Sequence, residues 1–164
     1  MMGIESNSLA VGLGEIKISG LPTDILVAYG LGSCVGVGMY DPITRVGGLL
    51  HAVLPEHLGN SDNLAKFVDT GIAELLASME RAGAVRARLN VRLAGGAHML
   101  NAPGFKQSLN IGERNIAAAL AALAVLNLRV AAQDLGGTVG RTVRLYVANG
   151  RLTVRAMGNP ERDL

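Results

Sequence analysis

The chain has 164 residues, of which 49% are apolar and 17% charged, with a formal net charge of +2. This balance excludes an intrinsically disordered chain, and no basic stripe interleaved with aromatics marks a nucleic-acid binder; aromatics make up only 3%, so Val, Leu, Ile and Ala must fill the core. The longest apolar stretch, Ile116–Leu126, is far short of the roughly 20 residues of a bilayer span, Met1–Ser6 lacks the pattern of a signal peptide, and a single cysteine suits a reducing compartment, so a cytoplasmic protein without membrane insertion is expected.

Residues 1–8 read as a frayed, disordered tail and residues 9–164 as a single domain. Ala10–Ser19 alternates loosely and stops at Gly20-Leu21-Pro22, a strand followed by a turn. Asp24–Tyr29 is a short apolar run suited to a buried strand, and Gly30–Ser33 breaks it. Cys34–Tyr40 resumes as a strand with small residues on one face. Asp41-Pro42-Ile43-Thr44 reads as a turn, because proline fixes φ and aspartate bonds the backbone ahead of it. Arg45–Leu54 is then the returning strand.

Ser61 or Asp62 is placed to cap a helix on which Leu64, Phe67, Val68, Ile72, Leu75, Leu76 and Met79 share one face, with Gly83 as its stop. Arg88–Leu93 is the next strand, ended by Gly95-Gly96. A second helix starts near Asn110, with Glu113 in capping-box position. Its alanine-rich body, Ile116–Leu126, is apolar on most sides and reads as buried. Arg129–Asp134 is a strand ended by Gly136-Gly137, and Thr142–Val147 and Leu152–Ala156 flank the hairpin signal Asn149-Gly150. About seven strands and two long helices in mixed order point to an α/β (α+β) layered domain rather than a doubly wound one.

The only cysteine, Cys34, follows the glycine-rich turn Gly30-Leu31-Gly32-Ser33, and His51 lies in the returning strand. With Asp41–Thr44 as the loop, Tyr40 opposes Arg45 and, counting back, Cys34 opposes His51. Side chains so opposed have Cβ atoms about 4.5–5.5 Å apart, while a one-residue slip would send them to opposite faces. A thiol with a pKa of about 8.5 is mostly protonated at neutral pH. An adjacent imidazole can take that proton, release a nucleophilic thiolate and later protonate the leaving group. Backbone N–H groups of the Gly32-Ser33 turn are placed to stabilise an oxyanion. A lone cysteine also serves as a small core hydrophobe, and a strand histidine as a hydrogen-bonded core residue; spacing alone leaves both readings open. His57, beyond Pro55, and His98, after a Gly-Gly break, are weaker partners. Three histidines and one cysteine at scattered spacing do not suggest a metal site.

The motifs Leu31-Gly32-Ser33-Cys34-Val35, Tyr40-Asp41-Pro42 and Gly48-Leu49-Leu50-His51-Ala52-Val53-Leu54-Pro55 resemble the signature of the CheD family, the chemoreceptor glutamine deamidases of bacterial and archaeal chemotaxis. The likeness continues through Ala94-Gly95-Gly96-Ala97, Asn110-Ile111-Gly112-Glu113-Arg114-Asn115 and Asp134-Leu135-Gly136-Gly137, and so spans Leu13 to Val154. It implies a protein-glutamine amidohydrolase without metal or cofactor, with Cys34 as nucleophile and His51 as base. It also implies a layered β-sandwich of mixed sheets flanked by helices, related to deamidating-toxin cysteine hydrolases. The implied partners are the cytoplasmic helices of methyl-accepting chemotaxis receptors and a CheC-type phosphatase. One position departs from the family pattern. Where the family often carries a threonine thought to support the histidine, this chain has Ala28, so that another group must orient the imidazole or activity is reduced. A catalytically weak binding module, docking to receptors or to the phosphatase, is the alternative.

Overall fold

The computed structural model describes residues 5–59, 61–99 and 110–164. Strands β1 (Asn7–Ala10), β3 (Asp24–Leu31), β8 (Arg141–Tyr146), β9 (Leu152–Ala156) and β10 (Arg162–Asp163) form one sheet in that order. Strands β2 (Glu15–Ser19), β5 (Val46–Ala52), β4 (Val35–Asp41), β6 (Asn90–Gly95) and β7 (Val130–Leu135) form the second. Each sheet contains one parallel pair, β1–β3 and β6–β7, beside antiparallel ones. Helices α1 (Val68–Arg81) and α2 (Ile111–Val125) cover the outer face of the second sheet. The expected layered α/β sandwich with mixed sheets is the architecture observed.

The second sheet is central, and every residue of β4 and β5 is buried. Side chains alternate across a strand. Val35, Val37 and Met39 therefore meet Leu50, Ala52 and the helix residues Val68, Ile72, Leu75, Leu76 and Met79 on one side. Burying each such large aliphatic side chain contributes roughly 1.5–3 kcal/mol. The other face of β4 carries Gly36 and Gly38. A Cβ at Gly38 would stand 2.7 Å from Leu152 Cδ1, so the small residues let the two sheets close on each other. Leu26, Ala28, Leu31, Cys34, Leu49, Val143, Leu145 and Leu152 fill the space between them. Tyr40 Oη–H donates to Val147 O at 2.8 Å and ties the sheets together at the turn end.

The β4–β5 register differs from the expected one. Asp41 pairs with Val46 and Gly36 with His51, so the loop is Pro42–Arg45 and the ladder runs two residues further along β5. The cause is Asp41. Its buried carboxylate accepts from Ile43 N and Val85 N, both at 2.9 Å, and from Arg88 Nη2 at 2.9 Å. That keeps Asp41 in the strand, and Arg45 absorbs the turn with φ 58°. A shift of two preserves face parity.

Four further expectations change. Strand β1 begins at Asn7, within the stretch read as a tail, and pairs in parallel with β3 from Asp24; residues 1–4 lie outside the described residues. The strand expected over Ala10–Ser19 is instead β1 and β2, separated by Val11–Gly14. The helix expected from Ser61 or Asp62 starts at Val68. Asn63 caps a 3-10 turn, Leu64–Lys66, and Lys66 O accepts from Val53 N and Leu54 N, which holds Phe67 extended at φ −108°, ψ 139°. Helix α2 does start after Asn110, whose side chain accepts from Glu113 N at 3.2 Å. It is buried along one stripe only, Gly112, Asn115, Ala119 and Leu123, while Val125 is 84% exposed. Its alanines are small enough to face solvent at low cost, which the composition of the helix conceals.

Candidate active site

Cys34 lies immediately before β4 and His51 within β5. Extending the observed register places Val53 across from Cys34, so Cys34 and His51 are diagonal neighbours on one face. Diagonal pairs stand roughly 7–8 Å apart, still in reach of a long side chain. Directly opposite His51 is Gly36, where a Cβ would meet Leu31 Cδ1 at 3.0 Å. Cys34 is 9% exposed and His51 3%.

The imidazole is held by the loop between β1 and β2. Its Nδ1–H donates to Val11 O at 3.0 Å, and Gly14 N donates to His51 O at 2.8 Å. The carbonyl fixes the tautomer: Nδ1 carries the proton and Nε2 is the acceptor. Nε2 is buried and has no hydrogen-bond partner among the described residues, the Cys34 thiol included. Burial pushes the His51 pKa below its ordinary value, opposed by the Val11 bond and by Glu15, its cross-strand neighbour on the β2 side. Burial pushes the Cys34 thiol up, opposed by a hydrogen bond from its own backbone N–H. Thiol and imidazole are therefore both neutral at rest. A neutral imidazole with a free Nε2 is the form of histidine that can accept a proton.

The turn carrying Cys34 is held by backbone bonds from the segment after β6. Gly96 N donates to Cys34 O at 2.9 Å and Ala97 N to Gly32 O at 2.8 Å. Gly95 has φ +112°, and a Cβ there would collide with the Cys34 carbonyl oxygen, so only glycine fits. Arg141, 6% exposed, links the end of β6 to the end of β7, donating to Gly95 O at 3.4 Å and to Gly136 O at 2.7 Å and pairing with Asp134 at 3.3 Å. Ser33 O accepts from Asn115 Nδ2 at 2.9 Å.

Ala28 is fully buried between the sheets, in the same cluster as Cys34 and Val11. The group that orients the imidazole is the Val11 carbonyl. His57 is occupied elsewhere: Gly59 N donates to its Nδ1 at 3.1 Å, its Nε2–H donates to Ser61 O at 2.7 Å, and its ring meets Phe67 edge-on. His98 is half-buried, and its backbone N–H donates to Gly137 O. Two participants escaped the sequence reading. Val11 acts through its carbonyl, which no side-chain pattern reveals. Asn115 had a signal: it is the one polar residue in phase with the buried stripe of α2. Among the described residues no group of three His, Cys, Asp or Glu is placed to hold a metal ion, and no helix is long and apolar enough to cross a membrane.

The family model described as "CheD chemotactic sensory transduction" matches residues 53–156, beginning just past His51. A "Probable chemoreceptor glutamine deamidase CheD" of Symbiobacterium thermophilum is 46% identical over 94% of this chain and 96% of its own length. One of the same description from Desulforamulus reducens is 42% identical over 93% of this chain and 92% of its own. Among solved structures, a Bacillus licheniformis hypothetical protein, YfiH, superposes with a TM-score of 0.45 at 15% identity, over 83% of this chain and 61% of that one. The chain belongs to the CheD family.

Proposed function

We propose that this protein converts glutamine side chains on the cytoplasmic helices of methyl-accepting chemotaxis receptors to glutamate, with Cys34 as nucleophile and His51 as base. Family membership and the names of the relatives, chemoreceptor glutamine deamidases, support the reaction and the chemotactic setting. The observation that carries the residue assignment is the His51 tautomer. Nδ1–H is spent on Val11 O at 3.0 Å, which leaves Nε2 an unpartnered buried acceptor on the face that bears the only thiol.

His51 Nε2 takes the Cys34 proton as the sulfur bonds to the carboxamide carbon. Because both groups rest neutral, proton transfer accompanies attack instead of preceding it. The developing oxyanion is met by backbone N–H groups of Gly32, Ser33 and Cys34. The imidazolium returns its proton to the amide nitrogen, the C–N bond breaks and ammonia leaves a thioester. Water, deprotonated by Nε2, attacks the thioester carbon. Glutamate departs and the thiol is restored. The test is mass spectrometry of receptor fragments incubated with wild type and with Cys34→Ala. Amide-to-acid conversion by wild type alone is expected, and equal conversion by both overturns the mechanism.

Docking to receptors or to a CheC-type phosphatase without efficient chemistry is the second reading. One observation favours it: the thiol, raised by burial, makes no bond to Nε2. Iodoacetamide labelling separates the two readings. Labelling near neutral pH that is fast and requires His51 supports the enzyme. Labelling no faster than a free model thiol supports the docking module.

A further inference from the structure

Asn115 sits fully buried on α2, in a stripe otherwise made of Gly112, Ala119 and Leu123. Its Nδ2 donates both protons, to Ser33 O and to Val53 O, each at 2.9 Å. Ser33 immediately precedes Cys34, and Val53 is two residues past His51. These bonds lie where backbone pairing stops. The β4–β5 ladder ends at Val35–Ala52, and the next rung would join Cys34 to Val53. There the chain ends diverge, with Val53 N donating to Lys66 O and Cys34 O accepting from Gly96 N. One planar amide spans the opening and joins the carbonyls on its two sides. Its Oδ1 is buried without a partner among the described residues. An alanine or leucine, like its stripe neighbours, would remove the unpartnered Oδ1 but would strip the Ser33 and Val53 carbonyls of these donors. Asparagine is costlier than the packing requires, and what it adds is the bridge.

We propose that Asn115 is a positioning residue for the thiol chemistry: it staples the Cys34 turn to the end of the His51 strand and thereby sets the separation of sulfur and imidazole. This rests on the Cys34–His51 reading above. Asn115 acts through Ser33 and Val53. Displacement of reacting groups by about 1 Å can cost two orders of magnitude in rate.

The test compares wild type, Asn115→Leu, which keeps the branching at Cγ and removes both donors, and Asn115→Asp, which turns carboxylate oxygens toward two carbonyls. Three readouts are taken: kcat and KM on a receptor fragment, the pH profile of iodoacetamide alkylation at Cys34, and folding by circular dichroism. Folded Asn115→Leu is expected to lose kcat at least about tenfold with KM within about twofold. Its alkylation profile moves toward that of His51→Ala. Wild-type kcat together with a wild-type alkylation profile overturns the proposal. If neither variant folds, wild type labelled with 15N-asparagine decides: the Asn115 side-chain N–H pair shifts on alkylation of Cys34, and an unmoved pair overturns the staple. A wild type that leaves glutamine intact, while Asn115→Leu still shifts the alkylation profile, sinks the deamidase reading and keeps the staple. An active wild type that deamidates no faster than Asn115→Leu, with the alkylation profile of the variant unmoved, sinks the staple alone.

Discussion

The β4–β5 ladder buries a polar side chain at each end, and the two ends are finished in opposite ways. At the turn end, Asp41 is fully buried and saturated: Arg88 and the backbone N–H groups of Val85 and Ile43 all donate to its carboxylate. At the other end, His51 is 3% exposed, yet it spends one ring nitrogen on Val11 O and leaves the other bare. Buried polar groups are ordinarily satisfied because an unmade bond costs about 1–3 kcal/mol. Asp41 follows that rule and fixes register. His51 departs from it on the face that bears the only thiol, and the proposed base role requires that departure.

Substitutions at the two ends should separate these roles. The largest effect belongs to His51→Ala. kcat for receptor deamidation should fall roughly 10²–10⁴-fold, with the protein still folded, as read by mass spectrometry and circular dichroism. Activity retained in a folded variant would remove the base from the mechanism. Asp41→Ala should do the reverse. Losing a saturated buried carboxylate should cost about 3 kcal/mol of stability, measured by urea unfolding, with kcat of the folded fraction unchanged. A kcat loss in fully folded Asp41→Ala would show that the two ends are coupled.

Acid separates the ends by pH window. Arg88, as a hydrogen-bond donor, is the main cause holding the Asp41 carboxyl well below its ordinary value of 3.8. The unfolded carboxyl takes up its proton first, so this stability is complete above that value and is lost as pH falls through the folded pKa. Burial holds His51 below its ordinary 6.5, and the sign is the same. The unfolded imidazole protonates first, so stability begins to fall at the higher window. Urea titrations of wild type and His51→Ala should differ in that upper window and agree in the lower. The same depression keeps Nε2 deprotonated in mild acid, so the acid limb of kcat/KM should lie below pH 6.5. An acid limb above it contradicts a buried base. The smallest effect is expected at His57. Its ring is committed to Ser61 O and Phe67, so His57→Ala should cost about 1 kcal/mol of stability and leave deamidation unchanged. A large activity loss there would transfer the base role from His51.

The sequence shows the hairpin, the shared face of Cys34 and His51, and the apolar face of α1, because each rests on a local period or on Asp-Pro turn chemistry. It does not show register. That depends on Val85 and Arg88, contributed from far along the chain to hold Asp41 in its strand. The start of α1 is hidden for a similar reason: Lys66 O is drawn into pairing with Val53 and Leu54, against the helical propensity of the segment. The alanine-rich α2 reads as buried throughout because hydropathy cannot tell a small exposed residue from a packed one. The Val11 carbonyl is invisible to any residue-type argument, so Ala28 looked like a missing support when a backbone atom supplies it.

Because Cys34 is the only cysteine, the role of the thiol can be tested at a single atom. The protein is alkylated stepwise with iodoacetamide, the modified fraction is counted by intact-mass spectrometry, and glutamine conversion in a receptor fragment is measured at each step. Activity should fall in proportion to the fraction alkylated and vanish at completion. Undiminished conversion by fully alkylated protein would contradict it.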